Sequence, residues 1–124
     1  MRALRTAKLD VTTNAGGAGS ATTTTPILGW LYSILWIDGT FDNGVDPTFT
    51  VEPPNEAGLA RNLFVVANAD DDKMYYPRVL EHLDTDGTAL TTHTHPIIDG
   101  YVKLTVAAGG NVKTGGAVLF YFIE

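Results

Sequence analysis

The sequence predicts an all-β fold, a single-domain antiparallel β-sandwich or barrel of about seven or eight strands with one long loop near residues 83–96. Three observations carry that prediction. Thirteen Gly, six Pro and many Thr punctuate the 124 residues, which favours turns and strands. Apolar residues recur at a spacing of two in several segments, the period of a strand with one buried face. No stretch longer than a few residues places them at spacings of three and four, so no amphipathic helix is expected beyond a single turn near 56–62. The length suits one domain, 1–124, around one modest core.

Residues 3–13 alternate, with Ala3, Ala7, Leu9 and Val11 on one side and Arg2, Thr6, Lys8 and Asp10 on the other, although Leu4 and Arg5 disturb the pattern. The glycine-rich 14–19 then reads as the turn of a hairpin whose second strand is the threonine-rich 21–25. Residues 27–37 form the longest apolar run, far short of the roughly 20 apolar residues that cross a bilayer. At a period of two it has two apolar faces. Ile27, Leu31, Leu35 and Ile37 are expected in the core, which turns Trp30, Tyr32 and Trp36 toward a partner.

Asp42-Asn43-Gly44 is a turn, and 45–52 alternates as a strand whose start, at Pro47, should lie at an edge because proline cannot donate to a ladder. A short buried strand at 63–67 precedes the acidic 70–72, and 75–80 reads as a short strand or an irregular crossing. Residues 83–96, rich in Thr, Asp and His without a period, are the expected surface loop. Strands at 101–107 and 117–123 follow, the last apolar on both faces.

The net charge of −6 disfavours attraction to nucleic acid or to an anionic membrane, so neither is an expected partner. Absence of cysteine removes disulfides, thiolate metal sites and cysteine nucleophiles together. The basic 1–5 lacks the apolar segment of a signal peptide, and no signal cleavage is expected.

His93 and His95 share one face of an extended segment, with His82 as a conceivable third metal ligand, but no acidic partner is fixed beside them and a surface role is favoured. Asp38, Asp42 and Asp46 do not fit a calcium loop, since Asn43 and Phe49 stand where glycine and glutamate belong. Ser20 and Ser33 have no nucleophile-elbow context, and no pair of carboxylates is singled out. The chain is therefore read as no enzyme, with no cofactor and no metal.

What remains is surplus apolar surface. Two strands are apolar on both faces and a sandwich has one interior, so either a partner covers the excess or the 83–96 loop does. Trp30, Tyr32, Trp36, Phe120 and Phe122 are the candidate protein-interface residues.

An ordered series runs through the chain: Asp46 to Glu52, Tyr76-Pro77-Arg78, His82, Gly87-Thr88-Ala89, Pro96-Ile97, Gly100-Tyr101-Val102-Lys103, and 108–115 before a terminal strand. In order and spacing it resembles the small head-decoration or cement proteins of tailed bacteriophages, with a departure at the more apolar 27–37. The resemblance implies a cofactor-free capsid-surface protein of the virion, made in the host cytoplasm. Such a protein binds the major capsid protein, bridges its neighbouring subunits and associates with itself as a homodimer or homotrimer. A second reading, from exposed tryptophans stacking on sugars, is a carbohydrate- or receptor-binding β-module on head or tail.

Overall fold

A computed structural model describes residues 3–56, 58–82 and 87–123. The described residues form ten strands and no helix, an all-β fold. One sheet carries β1 (Ala3–Thr12), β10 (Thr114–Ile123), β3 (Ile27–Ile37) and β6 (Lys73–Tyr75); the other carries β2 (Gly19–Thr22), β9 (Ile97–Ala107), β4 (Asp46–Glu52) and β5 (Arg61–Val65). The two meet where Ile27 to Trp30 of β3 pair with Gly100 to Ile97 of β9. Further along, β3 pairs with β6 and β9 with β2, so the layers diverge into an open sandwich with β1 and β5 at its ends. Every ladder is antiparallel.

The alternation of the sequence becomes one core between the sheets. Leu9, Val11, Leu31, Ile34, Trp36, Ala117 and Leu119 meet Phe49, Val51, Ile98, Val102, Leu104 and Val106 there. Each large apolar side chain so buried contributes about 1.5–3 kcal/mol. Gly100 lets β9 pass against β4, because a Cβ there would strike the carbonyl of Glu52.

Several expectations need correction. β1 and β2 do not make a hairpin: β1 pairs with β10 and β2 with β9, so the glycine-rich turn crosses between layers. Asn14 accepts from the N–H groups of Gly16 and Ala18, and Gly17 takes a left-handed φ of 85° that a side chain would strain. The predicted loop after residue 82 is largely an antiparallel ribbon of β7 (Val79–His82) and β8 (Ala89–Thr94), while 83–86 lie outside the described residues. β4 lies between β9 and β5, yet Pro47 is placed as proline requires. Its carbonyl accepts from Val66 just past the end of the β5 ladder, where no strand bond falls to its nitrogen. The turn near 56–62 is a single one, with the Leu59 N–H on the Glu56 carbonyl.

Candidate interaction surface

The surface begins with one extra residue in β3. Phe120 of β10 lies opposite Ser33 and Tyr121 opposite Leu31, so Tyr32 has no cross-strand counterpart and forms a bulge. A bulge reverses which side chains face inward beyond it. Before it, Ile27 and Leu31 are buried, as the alternation predicts; after it Ile34 and Trp36 are buried and Leu35 and Ile37 are only half-buried. Trp36, expected to face a partner, is therefore a core residue at 1% exposure, and Leu35 and Ile37 leave the expected core. Its indole stacks on Phe41 at 5.6 Å, and its N–H donates to the Ala69 carbonyl at 2.9 Å.

The other four expected residues do lie on the outward side of this sheet or at the bulge. Phe120, Phe122 and Trp30 are half-buried, and Tyr32 is 37% exposed. Cross-strand partners share a face. Leu4 pairs with Phe122, Phe122 with Trp30, and Trp30 with Ile97, which sets four apolar side chains in one row across β1, β10, β3 and β9. The chain neighbours Leu31 and Ile98 are buried, so the row points away from the core. Leu28, on the same side two residues before Trp30, is 78% exposed, with Leu4 at 54% and Ile97 at 56%. An open groove of about 540 Å³ lies among Leu28, Gly29, Trp30, Ile97 and Ile123.

Sequence reasoning missed Leu4 and Ile97; the period of two does put Leu28 on the face of Trp30, without singling it out. Leu4 did carry a signal, as the residue that broke the alternation of its strand; the position of Ile97 depends on a pairing with β3 that no local pattern announces.

Beside the row, the ribbon is anchored by an aromatic cluster. The Tyr32 ring lies 5.3 Å from Phe122 and 6.0 Å from both Tyr76 and His95. Arg78 sits 5.7 Å from the same ring and donates to the Tyr32 carbonyl at 2.9 Å, a cation–π contact of about 0.5–1 kcal/mol at an exposed site. His95 Nδ1 is 3.1 Å from the Leu31 carbonyl, an acceptor only, so the proton sits on Nδ1. Beyond this foot, among the described residues, β7 and β8 pair only with each other, β8 is exposed along its whole length, and Val79, Leu80 and Leu90 lie open to solvent.

The opposite end of the sandwich is acidic. Asp38, Asp42, Asp46, Asp70, Asp71 and Asp72 occupy the loops and strand start there, several of them tying turns: Asp70 accepts from Gly44, Asp72 from Asp38 and Asp46 from Asn68. Burial, and then the charges of Asp72, Asp70 and Asp71, push the Asp38 carboxyl above its ordinary value. Among the described residues no three His, Asp or Glu side chains gather as a metal site. His93 pairs with Leu80 on the exposed ribbon, and the side chain of His82 lies outside the described residues. Ser33 is buried at the bulge and Ser20 is exposed on β2. No described helix is long and apolar enough to cross a membrane. Comparison with protein-family models, with curated proteins and with solved structures returns no match.

Proposed function

We propose that this chain is a head-decoration or cement protein of a tailed bacteriophage, which attaches to the major capsid protein and bridges its neighbouring subunits. The observation that carries the reading is the concentration of exposed apolar surface at one end of the sandwich, in the outward row and the unpacked ribbon beside it. An apolar strip of about 400 Å² is worth on the order of 10 kcal/mol before the costs of docking. Many copies, each with modest contacts, sum to a strong lattice. The ordered sequence resemblance to decoration proteins supports the same reading, and the work needs no catalytic group or cofactor. The aspartates at the far end would face outward and keep the decorated surface soluble.

The alternative of a sugar-binding module drew on Trp30 and Trp36 as stacking platforms, and the burial of Trp36 leaves it one of the two. Expanded heads lacking the protein provide the test. The purified chain should bind them in saturable fashion and raise their resistance to heat, and Val79→Glu with Leu80→Glu on the ribbon should weaken binding at least tenfold. Failure of the unaltered chain to bind such heads, together with glycan binding abolished by Trp30→Ala, would overturn the reading.

A further inference from the structure

We propose that the outward row is the seam of a two-fold homodimer, its occupant a second copy of this chain set face to face on the first. A two-fold interface must be complementary to itself, so that whatever protrudes from the patch fits something recessed in the same patch. Both features stand side by side here. Leu28 projects from β3, and the groove among Leu28, Gly29, Trp30, Ile97 and Ile123, about 540 Å³, is wide enough for the leucine of a neighbour. Rotation by half a turn inserts each Leu28 into the other copy's groove. Gly29 lets β3 pass close against β10 beside the groove, where a Cβ would strike the Phe122 carbonyl.

Charge and area agree with a like partner. Leu4, Phe122, Trp30, Ile97 and Leu28 bring no charge to the row, and Asp99, which shares the face of Leu28 as its cross-strand partner, is ion-paired with Arg61 at 2.6 Å, so the like charge two copies bring together is offset within each. Leu4, Leu28, Tyr32 and Ile97 at 54%, 78%, 37% and 56% exposure, with the half-buried Trp30, Phe122 and Ile123, leave on the order of 500 Å² of apolar surface per copy. Covering it in both copies would bury about 1,000 Å², the size from which a specific interface is told from an incidental contact. The ribbon is not consumed by this seam. A dimer therefore presents two ribbons, the minimum for one particle to bridge two sites.

Sedimentation equilibrium of the purified full chain across a concentration series tests the seam without any capsid present. The expected mass is two copies, falling to one in Leu28→Glu and in Ile97→Glu, with the far-ultraviolet circular dichroism of the fold kept. Because the chain has no cysteine, an independent reading is available. Equimolar Leu28→Cys and Ile97→Cys proteins, mixed and oxidised, should form a mixed disulfide dimer on a non-reducing gel. A monomer at 100 µM by order of magnitude, a three-copy mass, or a dimer indifferent to both glutamates and without the mixed disulfide would overturn the proposal. A monomer that still binds heads would end the dimer and leave the capsid reading standing; a dimer that ignores heads would do the reverse.

Discussion

The indole N–H of Trp36 donates to the backbone carbonyl of Ala69, and that bond ties the far half of β3 to the acidic loop ahead of β6. Trp36→Phe should keep most of the ring packing against Phe41 but leave the Ala69 carbonyl without its donor, at a cost of about 1–3 kcal/mol. Trp36→Ala should cost about 3–5 kcal/mol. Urea unfolding monitored by circular dichroism measures both; equal midpoints for Trp36→Ala and the unaltered protein would contradict the burial of this ring.

Tyr32 decides the facing of everything after it in β3. Deleting it removes the surplus residue, so that β3 matches β10 residue for residue while Ile34 and Trp36 stay inward and Leu35 and Ile37 stay outward. The deletion should keep cooperative unfolding and, like Tyr32→Ala, which keeps the bulge, lose about 0.5–1.5 kcal/mol of ring contacts. A deletion variant that unfolds without cooperativity would show that Tyr32 is not the surplus residue of β3.

Asp38 makes folding sensitive to acid in an unusual direction. Its folded carboxyl holds a proton above the ordinary value of 3.8, chiefly through burial and then through the neighbouring aspartates. Within the window that opens at 3.8 and ends above the raised value, the folded chain binds more protons at this site than the unfolded chain. The contribution of Asp38 to stability therefore falls as pH rises through that window. Asp38→Asn should melt higher than the unaltered protein at pH 7, and the gap should shrink as the pH drops below 3.8. A gap that widens in acid would reverse the sign.

Among the described residues the ribbon of β7 and β8 pairs with nothing but itself, and a two-stranded ribbon alone is marginal in water. Native-state hydrogen exchange should find the amides of β8 at least ~100-fold less protected than those of β9 between Val102 and Val106. Equal protection in the free protein would mean that the ribbon packs on the body.

Most of the fold was legible because one-sided burial writes a period of two into the chain. The strands at 3–12 and 46–52 and the 101–107 part of β9 show it, and the buried residues Leu9, Val11, Phe49, Val51, Leu104 and Val106 follow from it. Two kinds of feature were not legible. A bulge is set by the opposing strand, so nothing local in 27–37 reveals that Tyr32 is surplus, and the roles of Trp36 and Leu35 invert as a result. The pairing of β1 with β10, and of β3 with both β10 and β9, is long-range, so the row from Leu4 to Ile97 exists only after folding. The ribbon hid for a third reason: its Thr-rich strand β8 buries neither face, and without burial there is no alternation to read.

The gathering of six aspartates at one end has a consequence for how molecules collide. Two copies approaching with those ends forward repel at separations up to the screening length, about 8 Å at physiological ionic strength and longer in dilute salt. Encounters with the apolar ends forward meet a weaker barrier, because there Asp99 is ion-paired with Arg61 and Arg78 lies close by. The acidic loops thus act at a distance as a filter on orientation, discarding unproductive collisions before any side chain of the row is touched, and lowering the salt sharpens that filter.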